Sequence, residues 1–379
     1  MKAVTTVLMV CVAGLLALGM VMLYSASMSL PQVGTRWLIQ QLLWCAVGLA
    51  PCLVLAWMDY RKLGRVAWVL LLMAGGLLVL VLIPGAHAVT VKGARRWLSF
   101  GGWRFQPSEL AKLALVIALA HYGHCYQRQM TSLWRGVIWP WLGVSVVLGL
   151  IFVEPDRGTT IFLAAVSAGM LLLAGVRWLH VLPPVFLGAA AMTFSLIYDP
   201  MRWGRIFSYL NLEETKSGVG WQAWQAMLAF GSGWWTGLGL GNGRQKLGFI
   251  PEHQTDFILP VIGEELGLVA TLAVVLAFLV VALCGCFIAS RARDTFGFLL
   301  ASGVTLVICL QAVVNIAVVT SLLPNKGLPL PYISYGGSNL VMMMASLGLL
   351  VSVARQAVDR VENVLPFEEE VEIQLCQAS

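Results

Sequence analysis

Long apolar runs recur along the whole chain, and they constrain its fold more than any other feature of the sequence. About ten of them approach the ~20 residues that an α-helix needs to cross a bilayer. The runs are 4–24, 37–57, 66–83, 108–122, 137–153, 160–176, 182–198, 257–289, 296–322 and 338–353. Because backbone groups in lipid must satisfy one another, helices are the expected form of such runs. The predicted fold class is all-α, a polytopic integral membrane protein with about ten transmembrane helices.

The composition excludes a soluble globular domain. Charged residues make up 11% of the chain, compared with ~25% in typical soluble domains. The 24 basic and 18 acidic residues give a balance of 24 − 18 = +6. The basic residues stand singly between apolar runs, so no nucleic-acid partner is predicted. The eight cysteines contain no CxxC pair, and they support neither a metal site nor a disulfide framework.

The N-terminal run is interpreted as a first transmembrane helix rather than as a cleaved signal peptide. It extends over 4–23, which exceeds the ~7–15 apolar residues of a signal peptide. One membrane domain is predicted over 1–354, with a long external loop at 199–255, and a short cytoplasmic tail follows at 355–379. When the long loop and the connection before the fourth run are left out of the count, the short connections on one side of the membrane carry an excess of basic residues. This excess indicates that both termini are cytoplasmic.

Two external segments carry cations that this orientation does not require. These cations are Lys92, Arg95, Arg96 and Arg104 before the fourth run, and Arg244 and Lys246 in the long external loop. Arg and Lys bind phosphate oxygens through charge-assisted hydrogen bonds, so the surface suits an anionic lipid head group and above all a pyrophosphate. The alternative is general contact with lipid phosphates.

Ionisable residues also lie within the apolar runs. Glu109 and Lys112 are three residues apart in the fourth run and therefore share one face of a helix. Such groups usually face a cavity or a partner, which makes them functional candidates, and the alternative is a structural pair that locks helices together. Glu264 and Glu265 in the eighth run present the same alternative. Adjacent residues point to different faces, so at most one of them is expected to share a cavity with Asp256.

Four long motifs occur in a fixed order along the chain. They are FQPSELAKLAL, EPDRGTT, GLGLGNGRQKLGFIPEHQTDFILPVIGEELGL and LPNKGLPLPYISYGGSN. Together they resemble the SEDS family, the shape, elongation, division and sporulation proteins, from YSAS after the first run to the tenth run. Several long motifs in register are more specific than one short pattern. Within the family, GLGNGRQK and PNKGL are more similar to the division branch than to the elongation branch.

The resemblance implies a peptidoglycan glycosyltransferase that polymerises lipid II during septal cell-wall synthesis and releases undecaprenyl pyrophosphate. It also implies a class B penicillin-binding protein (a transpeptidase) and further divisome membrane proteins as partners, at the bacterial inner membrane. The external cations fit this chemistry. Glycosyl transfer needs a base for the acceptor hydroxyl and positive charge for the departing pyrophosphate.

The family motifs also imply the site residues. Asp256, in the TDF motif where the long loop meets the eighth run, is the predicted catalytic base, and the alternative is that Thr255 or Asp256 only caps that helix. The predicted substrate-binding residues are Arg104, Glu109, Lys112, Arg244, Lys246, Ser334, Gly336, Gly337 and Ser338. The glycines of SYGGSN permit either a broken backbone that lines a cavity or a tight turn. No cofactor is assigned, and a divalent cation (Mg or Mn) with Asp256 or Glu252 as ligand stays open.

Three competing functions remain open from the sequence alone. A lipid II flippase would also use a membrane cavity with buried Glu and Lys. A non-enzymatic divisome scaffold and an enzyme of the elongation branch are equally compatible with a helical membrane domain. The chain departs from the family pattern at Glu154 and Arg157, which add a carboxylate and a cation that can pair with each other.

Overall fold

The computed structural model describes residues 1–28, 35–83, 85, 88–91, 94–100, 103–198 and 200–357. Within these ranges the chain forms twelve α-helices. They are α1 (Lys2–Met28), α2 (Arg36–Trp57), α3 (Arg61–Leu82), α4 (Pro107–Cys125), α5 (Trp139–Val153), α6 (Arg157–Leu173), α7 (Trp178–Ile197), α8 (Pro200–Leu210), α9 (Trp221–Gly233), α10 (Ile258–Ser290), α11 (Thr295–Val319) and α12 (Gly337–Gln356). Most of the predicted tail, 358–379, lies outside the described residues.

Each of the ten predicted apolar runs corresponds to a helix, which confirms the all-α membrane fold. In the described part of the chain, eight helical stretches are long and apolar enough to cross a membrane. The remaining two runs form α6, a shorter apolar helix, and α4, which carries Glu109 and Lys112. The two helices that match none of the ten runs, α8 and α9, lie in the predicted external loop.

The centre of the bundle is formed by α4, α11 and α12. Sixteen of the nineteen residues of α4 are buried, from Pro107 to Cys125. It packs against α3 on one side and α11 on another. The two charged residues near its start therefore lie inside protein rather than in lipid.

A small antiparallel sheet precedes α4, where only a loop was expected from the sequence. Its strands are β1 (Ala88–Val91), β2 (Ala94–Phe100) and β3 (Trp103–Phe105), in the order β1-β2-β3. Leu98 of β2 faces inward and is fully buried. The sheet holds the chain between α3 and α4 over the end of the bundle at which α4 begins.

The longest helix, α10, is broken at Gly267. This residue has φ 78° and ψ −173°, a conformation that is essentially restricted to glycine. A β-carbon there would collide with the amide nitrogen of Gly237 and the carbonyl oxygen of Trp235. The chain at 235–237 thus approaches the break so closely that only hydrogen fits at position 267.

Candidate active site

Asp256 lies at the end of the external loop, just before α10, and its side chain is half-buried. The N-cap of α10 is Phe257, and no side-chain hydrogen bond caps that helix. The capping interpretation of Thr255 and Asp256 is therefore not supported. Thr255 instead contacts Glu252, since its hydroxyl donates to Oε2 of Glu252 over 3.2 Å.

A side-chain amide on α11 holds the loops around Asp256. The amide of Asn315 donates to the backbone carbonyls of Asp256 (2.8 Å) and Leu328 (2.7 Å). Asp256 is thereby brought against the loop between α11 and α12. A β-carbon at Gly327 would lie 2.6 Å from Oδ2 of Asp256, so the carboxylate packs directly on that glycine.

Lys326 precedes this glycine and was not among the predicted site residues. It is half-buried, and burial lowers its pKa while the nearby Asp156 carboxylate opposes that shift. Asp156 caps α6, because its side chain accepts from the backbone N–H of Thr159 over 3.2 Å. The sequence did contain a signal, since Lys326 is the single cation between the last two helices.

Arg96 of β2 joins this cluster from the sheet. Its guanidinium donates to the backbone carbonyls of Glu154 and Pro155, and it lies 4.0 Å from the carboxylate of Asp156. The sheet is thus fastened to the turn between α5 and α6. Asp156, Arg96 and Lys326 form a charged group near the loop that carries Gly327.

Glu154 and Arg157 do not pair, although the sequence allowed it. Arg157 donates to the backbone carbonyl of Ser195 over 3.0 Å and lies over the ring of Phe152. The side chain of Glu154 is buried, and neither of its oxygens has a hydrogen-bond partner in the described part of the chain. Burial and the neighbouring Asp156 raise the pKa of Glu154 to about 8, against the opposing effect of Arg96.

The glycine-rich part of the external loop closes the break in α10. The backbone N–H groups of Leu238 and Gly239 donate to the carbonyls of Glu264 and Glu265, at 2.9 and 3.0 Å. In return, the N–H of Leu268 donates to the carbonyl of Trp234 over 2.8 Å. The loop therefore supplies hydrogen bonds that the helix loses at Gly267, which is how irregular backbone is tolerated within a membrane domain.

The side chains of Glu264 and Glu265 both bind this loop. Glu264 accepts from the backbone N–H groups of Arg244 (2.9 Å) and Gln245 (3.1 Å). Glu265 accepts from the N–H of Gly241 (3.0 Å), from the Ser25 hydroxyl (2.6 Å) and from the ammonium of Lys246 (2.6 Å). From the sequence we expected the side chains of Glu264 and Glu265 to face different surroundings. In the structure both carboxylates instead contact one loop.

These contacts change the role that we assign to Lys246. Its side chain is only 3% exposed and its ammonium also donates to the hydroxyl of Ser25 over 2.7 Å. The ammonium thus faces the inside of the protein, and we revise its role from contacting substrate to holding the loop. Arg244, two residues earlier, is exposed.

Glu109 and Lys112 form the buried pair that the sequence left as an alternative. Nζ of Lys112 lies 2.8 Å from Oε2 of Glu109 and donates to Gln311 of α11 over 3.0 Å. Asn339 of α12 donates to the same Glu109 oxygen over 2.9 Å. The pair joins α4, α11 and α12, so we revise the role of both charged residues from contacting substrate to holding these helices in register.

The SYGGSN segment turns tightly into α12. The hydroxyl of Ser334 accepts from the N–H of Leu330 over 2.8 Å, and that of Ser338 accepts from the N–H of Gln106 over 3.1 Å. A β-carbon at Gly337 would collide with the ring of Trp44 on α2. The N–H of Gly336 donates to Gln41, also on α2, over 3.4 Å. These contacts hold the start of α12 against its neighbours, and a contact of these four residues with substrate stays a prediction.

Arg104 remains at the surface. It is exposed in the middle of β3, and its charge, with that of Arg36 at the start of α2, opposes the burial that raises the pKa of Tyr335. Of the predicted substrate-binding cations, Arg104 and Arg244 are therefore the two that reach the surface. Arg95 of β2 is exposed as well, and Lys92 lies outside the described residues.

The part of the chain that the structure describes offers no evident set of metal ligands. Among the described residues, no group of three or more His, Cys, Asp or Glu side chains is placed to hold a metal ion. Glu252, one of the two oxygen ligands considered from the sequence, accepts from the Thr255 hydroxyl. A divalent cation at Asp256 therefore stays a hypothesis.

Comparisons with known proteins identify the relatives of this chain. The model of the FtsW/RodA/SpoVE family, described as cell cycle proteins, matches residues 5–359. A probable peptidoglycan glycosyltransferase FtsW from Trichlorobacter lovleyi is 40% identical over 352 residues, which is 92% of each chain. Another, from Pseudomonas fluorescens, is 38% identical over 89% of this chain and 85% of its own length.

Solved structures share the fold. A chain from a peptidoglycan synthase complex, described as coordinating polymerization and crosslinking, superposes with a TM-score of 0.75 at 26% identity, over 93% of this chain and 98% of that one. The rod shape determining protein RodA of Thermus thermophilus gives a TM-score of 0.67 at 27% identity, over 94% and 97% of the two chains. The family model spans nearly the whole chain and the relatives exceed one third identity, so this multi-pass membrane protein belongs to the FtsW/RodA/SpoVE family of cell cycle proteins.

Proposed function

We propose that the protein is a peptidoglycan glycosyltransferase that polymerises lipid II at the outer face of the bacterial inner membrane. The observation that carries the proposal is the half-buried carboxylate of Asp256, which packs on Gly327 while Asn315 holds its backbone. The curated relatives named above are probable peptidoglycan glycosyltransferases, which supports the same reaction.

The chain's own residues supply the two things that the reaction needs. The Asp256 carboxylate accepts the proton of the acceptor sugar hydroxyl, whose oxygen bonds to the anomeric carbon of the donor. The bond from that carbon to the pyrophosphate breaks, and undecaprenyl pyrophosphate leaves with the bonding electrons. Arg104 and Arg244 at the surface, together with Lys326 next to Gly327, stabilise the negative charge of this leaving group.

A lateral cavity suits the lipid part of such a substrate. It has a volume of about 930 Å³ and lies between α5, α6 and α7. Its lining is largely apolar and includes Phe152, Arg157, Leu187, Phe194 and Tyr198. Because Phe152 and Arg157 flank the turn that carries Asp156, a polyprenyl chain in this cavity would place its pyrophosphate near the charged cluster.

Partner and location follow from the same reaction. A polymerised glycan has to be crosslinked, and one structural neighbour belongs to a complex described as coordinating polymerization and crosslinking. The proposed partners are a class B penicillin-binding protein and further divisome proteins, at the division septum, with both termini cytoplasmic. The sequence similarity to FtsW relatives favours division over elongation.

The test is polymerisation of purified lipid II by the purified protein in detergent. Asp256→Asn is expected to abolish glycan polymer while the protein stays folded and monodisperse. Detergent removes the bilayer that a flippase needs, so polymer from the wild type excludes a purely transporting role. Wild-type amounts of polymer from Asp256→Asn would refute Asp256 as the base, and no polymer from the wild type, alone or with its partner, would refute the proposed activity.

A further inference from the structure

We propose that Glu264 and Glu265 are positioning residues that fix the glycine-rich loop 237–246 and thereby place Arg244 for the transfer reaction. The inference rests on the proposed glycosyltransferase function. Together the two carboxylates bind three backbone N–H groups and one ammonium of the loop.

The fit between carboxylates and loop is close enough to define one position. A β-carbon at Gly243 would lie 2.8 Å from Oε1 of Glu265 and 3.0 Å from Oε2 of Glu264. One at Gly237 would collide with the carbonyl oxygen of Glu265. The loop reaches both carboxylates only because these two positions carry no side chain, and a shift of the loop would lose all of the contacts together.

The buried ion pair between Glu265 and Lys246 is better explained by the position that it gives the loop than by a contribution to stability. Glu265 is fully buried and Lys246 nearly so. Replacing a buried ion pair by apolar residues of similar size is often neutral or stabilising, so such a pair contributes little to stability as a whole. Its directional contacts do specify one arrangement, and here they specify where residues 241–246 lie on α10 and against Ser25 of α1.

Arg244 and Asp256 are the first and last residues of the segment 244–256, and the backbone of each is hydrogen-bonded to a helix side chain. The backbone N–H of Arg244 is held by Glu264, and the backbone carbonyl of Asp256 is held by Asn315. Both anchors are side chains of long helices, so the surface cation and the base are fixed to the same rigid frame. Preorganised groups of this kind lose about 10²-fold in rate when displaced by about 1 Å.

The primary variant is Glu264→Gln, because the described contacts of Glu264 are to backbone N–H groups and its neutralisation leaves no buried cation unpaired. We expect a fall in kcat for lipid II polymerisation on the order of 10²-fold, with KM changed less than about threefold, since a contact to the leaving group acts in the transition state. Glu214→Gln, an exposed acid in the same external loop, is the matched control and should retain wild-type kinetics.

A double-mutant cycle separates positioning from a merely structural role. If Glu264 acts through Arg244, Glu264→Gln should reduce kcat no further in an Arg244→Gln background. A structural defect would reduce kcat by the same factor in both backgrounds. Glu265→Gln combined with Lys246→Met, which removes both charges of the pair, should give the same kinetic pattern as Glu264→Gln.

Hydrogen–deuterium exchange tests the loop without any activity measurement. In Glu264→Gln the amides of 241–245 should exchange at least tenfold faster, while those of the centre of α4 stay as in the wild type. Unchanged loop exchange, or an equal loss of kcat in both Arg244 backgrounds, would overturn the inference. If exchange changes as expected and no variant or wild type makes polymer, the proposed function fails while the anchoring of the loop stands.

Discussion

At the scale of single residues, Glu154 and the pair Glu109–Lys112 represent two ways of burying charge. The pair is satisfied by Gln311, Asn339 and each other. Glu154 has no such partner in the described part of the chain, although Arg96 binds its backbone carbonyl. A buried charge without partners is costly, and a carboxyl group in that position stays protonated instead.

Glu154 should therefore make the stability depend on pH. Its folded pKa, about 8, lies above the ordinary value of 4.5. The folded state thus holds a proton that the unfolded chain releases, so the stabilising contribution is complete below about pH 4.5 and is lost as the pH rises through about 8. The resulting loss in the free energy of unfolding is on the order of a few kcal/mol. Thermal unfolding measured in detergent between pH 5 and 9 should give an unfolding temperature that falls as the pH rises towards about 8.

Glu154→Gln is the matched variant for this measurement. Its amide keeps the shape of the side chain and cannot ionise, so the decline in unfolding temperature between pH 5 and about 8 should be reduced. The exposed Glu214→Gln should retain the wild-type pH dependence. If Glu154→Gln loses stability as steeply as the wild type over this range, another group is responsible.

Lys112→Met should destabilise the protein strongly. It leaves the buried Glu109 carboxylate with only Asn339 as a described side-chain partner, and breaking a buried ion pair typically costs about 3–5 kcal/mol. Lys112→Met combined with Glu109→Gln should recover much of the loss, because no buried charge remains. Thermal unfolding compares the two variants. Unchanged stability of Lys112→Met together with weaker lipid II binding would restore Lys112 as a direct substrate contact.

At the scale of elements, α10 and α11 hold different parts of the candidate site in place. Gln311 and Asn315, one turn apart on α11, fasten the loop before α12 through the carbonyls of Pro329 and Leu328. The broken helix α10 carries Glu264 and Glu265 shortly before Gly267. One helix therefore holds the surroundings of Asp256, and its neighbour holds the glycine-rich loop.

The break in α10 gives a prediction at this scale. Gly267→Ala drives a methyl group into the backbone of Trp235 and Gly237, in a conformation that costs about 1–3 kcal/mol even without a clash. We expect loss of thermal stability and displacement of the loop, visible as faster hydrogen exchange at 234–241. Gly76→Ala in α3 is the control, since a β-carbon there meets nothing within 4 Å. Equal stability of the two variants would contradict the tight approach.

At the scale of the whole molecule, the helices were more predictable from the sequence than their connections. The ten runs were predictable because bilayer thickness imposes a minimum apolar length. The sheet was missed because strands of three to seven residues leave little periodic pattern. The position of Asp256 just before α10 followed from the TDF motif. The burial of Lys246 could not be foreseen, because no pattern in a loop indicates which cation turns inward, and the roles of Gln311 and Asn315 were missed because uncharged amides do not stand out in an apolar run.

The hydrogen bond between Ser25 and Glu265 has a consequence for how the protein is made. The two residues are 240 positions apart, so Ser25 enters the membrane long before its partner is synthesised. At about 5–20 residues per second, that interval is roughly 12–48 s. During it the first helix has to remain next to the growing bundle without its final contact. The loop over α10 can close only when the eighth apolar run has inserted, which makes the completion of the site one of the last events in the biogenesis of the chain.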